Sequence, residues 1–255
     1  MIRSLHAGAC RISFDSGQQT LSLYPAPYLG MTPAIPAYLE QMYWWAYVRP
    51  WAVRLFDRQW MVELILLGNY GRLRNETLKE FGTDLSGRTL QVGSCYGDLT
   101  PCVADKVAVS GGTYDVIDIL PVQLENLQHK IRPDAPVGTF LMDAAALQIP
   151  DASYDRVLVF LLLHEQPQEY RKRTLKEALR VLKPGGKLVI MDYGRPAWWH
   201  PVRYSTLLVY AWLKPYAVDV WNGELTELLA HEMSGREWSK TTYFGGLFQK
   251  LVSSG

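Results

Sequence analysis

The feature that most constrains this chain is a short apolar run, Thr89 to Val92, that breaks into a loop with glycines at 93 and 97 and continues as a helical segment from Leu99. A buried strand, a glycine loop and a helix in that order form a β-loop-α unit. Tyr114 to Ile117 reads as a second strand ending at Asp118, and Pro121 stands where proline best opens a helix, here over Val122 to Ile131. Strand signals at Phe140 to Met142 and Arg156 to Phe160, a charged helix across Tyr170 to Leu182, a turn at Lys183-Pro184-Gly185-Gly186 and a strand from Lys187 to Met191 continue the alternation. Strands alternating with helices predict an α/β fold: a mostly parallel sheet with right-handed crossovers and helices on both faces. Trp238 to Thr242 and Gly246 to Leu251, joined by a glycine-containing turn, predict a C-terminal antiparallel hairpin on the sheet edge.

The alternation assigns residues 86–255 to one catalytic domain. Residues 1–36, with Pro25, Pro27, Pro33 and Pro36 closely spaced, read as an extended lead-in, and 37–85 as a helical extension interrupted at Pro50 and Gly68. That extension holds Tyr43, Trp44, Trp45, Tyr47, Trp51, Phe56 and Trp60, more aromatic surface than one buried stripe needs. A second aromatic segment, the insertion at 196–222, runs from Trp198 to Trp221. Tryptophan and tyrosine suit a boundary between apolar and wet surroundings, so both segments read as a substrate lid touching a membrane interface; padding over the sheet is the plainer reading.

No run of about 18 apolar residues occurs, so peripheral membrane contact is expected rather than a span. The 26 lysines and arginines nearly cancel 25 aspartates and glutamates, which argues against the broad basic surface that nucleic acid requires. Cys10, Cys95 and Cys102 show no paired spacing, so neither a disulfide framework nor a structural zinc is expected and a reducing, cytoplasmic setting fits. The first fourteen residues carry Arg3 and Arg11 without an acidic residue, a pattern shared by organellar targeting peptides and plain termini. The expected location is therefore the bacterial cytoplasm, peripheral to the inner membrane, with a mitochondrial location as the alternative. The oligomeric state is left open.

In open parallel sheets, ligands collect beyond the carboxyl ends of the strands, where loops diverge and helix N-termini leave N–H groups available. Gly93 and Gly97 let the backbone bend tightly and approach a ligand there, and Asp118, 21 positions beyond Gly97, can accept two hydrogen bonds from a ribose diol. Asp143-Ala144, after the third strand, suits an adenine amino group and ring nitrogen; an N-cap aspartate gives the same spacing.

Leu90-Gln91-Val92-Gly93-Ser94-Cys95-Tyr96-Gly97-Asp98-Leu99-Thr100, Val116-Ile117-Asp118-Ile119, Asp143-Ala144, Tyr154-Asp155 and Arg180 to Gly186 resemble successive motifs of the class I methyltransferases, nearest the ubiquinone and menaquinone biosynthesis enzymes. The resemblance covers about residues 86–195. It implies a Rossmann-like fold and S-adenosylmethionine as cofactor, held by Gln91, Gly93, Ser94, Tyr96, Gly97, Asp118, Ile119, Asp143 and Ala144. Two positions depart from the pattern: Gln91 stands where those enzymes carry an acidic residue, and Cys95 where they carry glycine. Cys95-Tyr96-Gly97, with Tyr43-Trp44-Trp45-Ala46-Tyr47 and Gly68-Asn69-Tyr70 upstream, resembles the rhodoquinone biosynthesis family (RquA) over roughly 36–195. That resemblance implies conversion of ubiquinone to rhodoquinone, in which an amino group replaces a ring methoxy group, with S-adenosylmethionine as amino donor and Mn2+ required.

Candidates for the chemistry are His164, Tyr96 and Tyr193. His164 and Glu165 follow the apolar run Leu158 to Leu163, where they can bind a metal, move a proton or cap the next segment. Asp192 and Tyr193 end the following strand and share that mouth. Glu165, Asp98 and Asp192 are the candidate Mn2+ ligands. His200 suits either a ring contact or a surface position. Arg171, Lys172, Arg173 and Lys176 read as a solvated helix face. Three functions follow: amino transfer to ubiquinone, ordinary methyl transfer to a quinone or small molecule, and a noncatalytic quinone-binding subunit.

Overall fold

The computed structural model describes residues 33–201, 203–204, 215–222, 225, 227 and 236–254. Most of the lead-in and the stretch 205–214 of the aromatic insertion lie outside them.

The extension forms a π-helix, Leu39–Val48, then α1 (Pro50–Phe56), α2 (Gln59–Ile65) and α3 (Tyr70–Glu80). Pro50 opens α1, where its missing N–H is harmless. Gly68 sits in the left-handed region beside Leu67, in the break between α2 and α3. A further break at Asp57-Arg58 separates α1 from α2. Sequence periodicity does not reveal it, because the apolar pattern runs on through Trp60.

The alternating region supplies β1 (Arg88–Val92), α4 (Leu99–Ser110), β2 (Thr113–Asp118), α5 (Pro121–Gln128), β3 (Val137–Leu141), β4 (Tyr154–Phe160), α6 (Gln168–Arg180) and β5 (Leu182–Tyr193). After α7 (Pro215–Asn222), the chain ends in β6 (Glu237–Tyr243) and β7 (Phe248–Ser254). The described strands form one seven-stranded sheet ordered β3-β2-β1-β4-β5-β7-β6. β1 through β5 pair in parallel, while β7 runs antiparallel to both β5 and β6, so the hairpin extends the sheet and leaves β6 at its edge.

Successive strand residues feed opposite faces of the sheet. Leu158, Phe160, Val189 and Met191 pack with Leu73 of α3 and Leu99, Val103 and Val107 of α4. Val157, Val159, Leu188 and Ile190 pack with Leu175 and Ala178 of α6. Burying both faces explains why these strands read as continuous apolar runs. The strand order reverses between β1 and β4, so their loops diverge at the carboxyl end and open the space that becomes the site.

Two expectations are corrected. Lys183-Pro184-Gly185-Gly186 lies within the span of β5, where the register against β4 shifts between Tyr154 and Arg156 and Gly185 adopts positive φ, so the turn is an irregularity inside the strand. Arg171 is not part of a solvated face: it is 1% exposed, and its guanidinium donates to the Leu163, Gln166 and Tyr216 carbonyls. A buried guanidinium persists when its donors are matched in this way. Lys172 and Arg173 do face solvent.

Candidate functional site

A cavity of about 480 Å3 lies over the carboxyl ends of β1, β2 and β4, roofed by the π-helix and α2. Gly93, Ser94, Cys95, Tyr96, Asp118, Ile119, Asp143 and Ala144 line one part of it. His164, Glu165 and Tyr193 line another, and Val62 with Leu64 to Leu67 gives it an apolar stretch. Leu161 and Leu67, also in the wall, hold positive φ although they carry side chains. Strain of this kind gathers at sites whose backbone is held by function.

The glycine loop is fastened from three sides. Asp118 accepts from the Ser94 N–H at 2.9 Å, from the Ser94 hydroxyl at 2.8 Å and from the Leu120 N–H at 2.9 Å. Burial pushes the Asp118 carboxyl above its usual range, and these donors offset only part of that rise. From the extension, Asp57 accepts from the Gly97 N–H at 2.9 Å, from Lys130 at 2.7 Å and from Asn126 at 3.0 Å. Lys130 also donates to the Gly97 carbonyl at 2.9 Å. Sequence reasoning missed Asp57 and Lys130, although Asp57 is the one acidic residue between Glu40 and Glu63.

Gln91 takes no place in the cavity wall. It is fully buried beneath the loop, where its amide donates to the Gly93 carbonyl at 2.9 Å and its carbonyl accepts from Thr100 at 3.1 Å and from Tyr114. Cys95 lies 3.7 Å from both the Gln91 amide and the Thr100 hydroxyl, and burial raises its thiol pKa. Gly97 is likewise outside the wall and acts through the loop's shape: it has positive φ, and the Tyr70 hydroxyl occupies the space a Cβ would need. Asp143 accepts from the Ala145 N–H at 2.8 Å, a cap-like bond, while still lining the cavity with Ala144.

On the chemical side, Asp192 is completely buried and accepts from the backbone N–H groups of Leu163 and Tyr193, both at 2.7 Å. The His164 Nδ1 meets the same carboxylate at 2.9 Å, and the imidazole stands edge-on to the Tyr193 ring at 4.5 Å. With Nδ1 committed to Asp192, Nε2 is the nitrogen positioned to exchange a proton, 3.5 Å from Glu165. Glu165 also accepts from the Tyr47 hydroxyl. Tyr47 stacks on Tyr96, whose hydroxyl donates to the Ala46 carbonyl at 2.8 Å and accepts from Gln123 at 2.9 Å. Burial, then the charge of Glu165, raises the Tyr47 phenol well above its usual pKa, and burial also raises that of Tyr96. Both stay neutral hydroxyls across the working range.

The three candidate metal ligands do not gather. Glu165 and Asp192 are bridged through His164, whereas Asp98 pairs with Arg74 at 2.5 Å beside α4. Among the described residues no group of three His, Cys, Asp or Glu side chains could hold an ion. His200 is buried against Phe244 at 4.8 Å and is not among the residues that line the cavity, which corrects the surface position.

Residues 90–190 match the family described as a methyltransferase domain. The fold is that of the class I methyltransferases. Demethylmenaquinone methyltransferase of Geobacillus sp. (strain WCH70) is 29% identical over 143 residues, covering 55% of this chain and 59% of that protein. Ubiquinone/menaquinone biosynthesis C-methyltransferase UbiE of Geobacter sp. (strain M21) is 29% identical over 136 residues, 52% of this chain and 57% of that one. In both cases the matched part spans less than two thirds of the relative. Phosphoethanolamine N-methyltransferase 2 of Haemonchus contortus, solved with phosphomonomethylethanolamine and S-adenosylhomocysteine, superposes with a TM-score of 0.59 at 16% identity over 92% of this chain and 62% of that chain. A SAM-dependent methyltransferase from Aquifex aeolicus superposes with a TM-score of 0.54 at 19% identity over 80% of this chain and 97% of that one. At such identities the superpositions carry the Rossmann-like fold alone.

Proposed function

We propose that this chain is an S-adenosylmethionine-dependent transferase acting on a quinone-type ring, with methyl as the group transferred. The observation that carries the reading is that one cavity joins three parts: the methyltransferase-domain loop with Asp118 and Asp143-Ala144, the His164–Asp192 pair, and an apolar stretch from Val62 to Leu67. The bound cofactor supplies an activated methyl group. Asp118 and Ser94 would hold its ribose, Asp143 and Ala144 would hold its adenine, and Gly93 would allow close backbone approach. His164, oriented by Asp192, would take the proton released from a hydrogen-bearing carbon of the reduced, hydroquinone ring when that carbon gains the methyl group. The apolar stretch suits a prenyl tail, and the two quinone-biosynthesis relatives support the choice of acceptor class.

A second reading, amino transfer to ubiquinone giving rhodoquinone, is favoured by Gln91 where a carboxylate is expected. Without that charge partner, the cofactor's amino group is no longer held as a protonated salt-bridge partner and becomes available as a nucleophile. Incubation with S-adenosylmethionine labelled separately in its methyl carbon and its amino nitrogen decides between the readings by product mass. Methyl label in the product is the expected result, and nitrogen label replaces the first reading by the second. Full amino-transfer turnover in Gln91→Glu would sink the second reading. The scattered carboxylates do not fit the Mn2+ that the resemblance implies. Absence of S-adenosylmethionine binding by calorimetry, with quinone binding intact, would leave only a noncatalytic quinone-binding role.

The same reading extends to location. Among the described residues no helix is long and apolar enough to cross a membrane. Trp51, Trp60 and Leu64 are 61%, 57% and 63% exposed, and Leu64 also lines the cavity, which supports peripheral contact with a bilayer that delivers the tail. The membrane concerned is the cytoplasmic face of a bacterial inner membrane, or a mitochondrial membrane as the alternative. Trp51→Ala with Trp60→Ala lowers co-sedimentation with lipid vesicles; unchanged sedimentation would remove the contact.

A further inference from the structure

From Gln41 to Val62 the charged side chains are Arg49, Arg54, Arg58 and Asp57. The three arginines are exposed, and among the described residues no ion pair holds any of them. Asp57 does not offset them at the surface, since it is turned to Lys130 at 2.7 Å and to the Gly97 N–H at 2.9 Å. Glu63 is likewise engaged, accepting from the Tyr70 and Gly71 N–H groups at 3.2 Å and 3.1 Å. Of the acidic residues from Leu39 to Leu67, only Glu40, at the start of the π-helix, is exposed. The whole chain has a formal net charge of +1, so the positive charge on this surface is a local concentration.

The same surface carries exposed aromatic side chains beside the arginines. The Arg49 guanidinium stands over the Trp44 ring at 4.4 Å. Trp51 and Arg54 are both exposed and lie three positions apart on α1, which puts them on one side of the helix. Arg58 and Trp60 open α2, and Trp45 against Phe56 at 5.6 Å joins the π-helix to α1. Further along α2 and just after it, Leu64, Ile65 and Leu67 are exposed and also line the cavity, so the cavity opens on this surface. Arginines alone suit any polyanion. The aliphatic rim decides between polyanions, because a bilayer offers phosphates above an apolar layer and a nucleic acid does not.

We propose that the extension docks on an anionic phospholipid bilayer, with Arg49, Arg54 and Arg58 on headgroup phosphates and Trp44, Trp51 and Trp60 at the interface. Leu64, Ile65 and Leu67 then set the mouth of the cavity against the acyl chains. Arginine stems follow apolar surface while the guanidinium stays at the polar boundary, and tryptophan favours the same depth. The proposal rests on the reading of this surface as a peripheral membrane contact. It goes beyond that reading by naming the lipid chemistry selected and the three residues that select it.

The test is co-sedimentation of the full chain with vesicles of phosphatidylcholine alone or mixed with phosphatidylglycerol. Three arginines near an anionic surface should tighten binding to the mixed vesicles about 100-fold over the neutral ones at low salt. Raising the ionic strength should erase most of that preference. The triple variant Arg49→Gln, Arg54→Gln, Arg58→Gln should bind both kinds of vesicle at the neutral level and melt at the wild-type temperature. Trp51→Ala with Trp60→Ala, by contrast, should weaken binding to both kinds and keep the preference. Equal wild-type binding to both vesicles, a preference that salt does not touch, or wild-type binding by the triple variant overturns the proposal and leaves the peripheral contact standing. A polyuridine probe bound more tightly than the mixed vesicles also overturns it, by assigning the arginines to nucleic acid. Should the triple variant unfold, the two wild-type vesicle series and their salt dependence decide. If wild-type protein binds neither vesicle, the peripheral contact falls and the proposal falls with it.

Discussion

Asp57, in the break between α1 and α2, accepts the Gly97 N–H at 2.9 Å, so the aromatic extension and the glycine loop are joined by one carboxylate. Lys130 completes the joint, since it meets Asp57 and the Gly97 carbonyl together. Both side chains of this ion pair are largely shielded, at 11% and 19% exposure. Removing one partner therefore leaves a charge and a backbone N–H in need of replacement bonds. Asp57→Ala should destabilise the protein by about 2–3 kcal/mol in urea unfolding. It should also weaken S-adenosylmethionine binding in calorimetry, although Asp57 does not line the cavity. Wild-type affinity in this variant would mean that the loop keeps its shape without the extension.

Gly97 tests the loop's shape from the opposite side. Its φ is +86°, and an added Cβ would sit 2.4 Å from the Tyr70 hydroxyl and 2.5 Å from its ring. Tyr70 cannot readily withdraw: it is fully buried, and its hydroxyl accepts the Leu99 N–H at 2.9 Å at the start of α4. Gly97→Ala should therefore cost about 3 kcal/mol or more, combining left-handed strain with overpacking. Thermal unfolding checks this, and a loss below about 1 kcal/mol would show that loop and helix shift apart easily.

Asp192 and His164 make a separable prediction. Asp192→Asn keeps the volume but offers an amide where His164 Nδ1, Leu163 N–H and Tyr193 N–H converge. The imidazole then loses the partner that fixes its tautomer. Turnover should fall roughly 100-fold or more, with little change in KM for the acceptor. His164→Gln should have a similar effect, and the double variant should be no worse than the more damaged single one, because the two residues act as a unit. A change confined to KM would assign the pair to binding.

The fold was largely legible because the strands from β1 to β5 are buried on both faces, so their apolar runs and intervening glycine loops mark the alternation directly. The positions of Asp118 and Asp143 were legible for the same reason: Asp118 is the last residue of β2 and Asp143 lies just beyond β3, where the topology fixes their place. The Asp57–Lys130 joint was not, because its two members lie 73 residues apart in sequence and periodicity carries no trace of such a pairing. Arg171 misled for a related reason, since the next two residues, Lys172 and Arg173, are solvent-facing and charge alone does not say which member of a basic run turns inward. Gln91 was noticed as a departure from a pattern, but its direction could not be read, because Thr100 and Tyr114 meet it only in the folded chain.

Asp118 carries the pH prediction. Burial raises its folded-state pKa, so the folded protein holds the proton more tightly than the unfolded chain does. The sign follows from linkage: the stabilising contribution is fully present below the unfolded pKa of about 4 and is lost as pH rises through the higher folded value. Asp118→Asn removes this dependence. The stability of wild type relative to Asp118→Asn should therefore decline from about pH 4 upward, as read from urea midpoints at stepped pH. Cofactor binding should run the other way, because only the ionised carboxylate keeps its full capacity to accept from a ribose diol beside the Ser94 and Leu120 donors. Affinity for S-adenosylmethionine should fall with falling pH, beginning above the usual carboxylate range, and the Asn variant should bind weakly at every pH. A stability difference that instead grew with pH would mean that the three donors outweigh burial and that Asp118 serves chiefly to hold the loop.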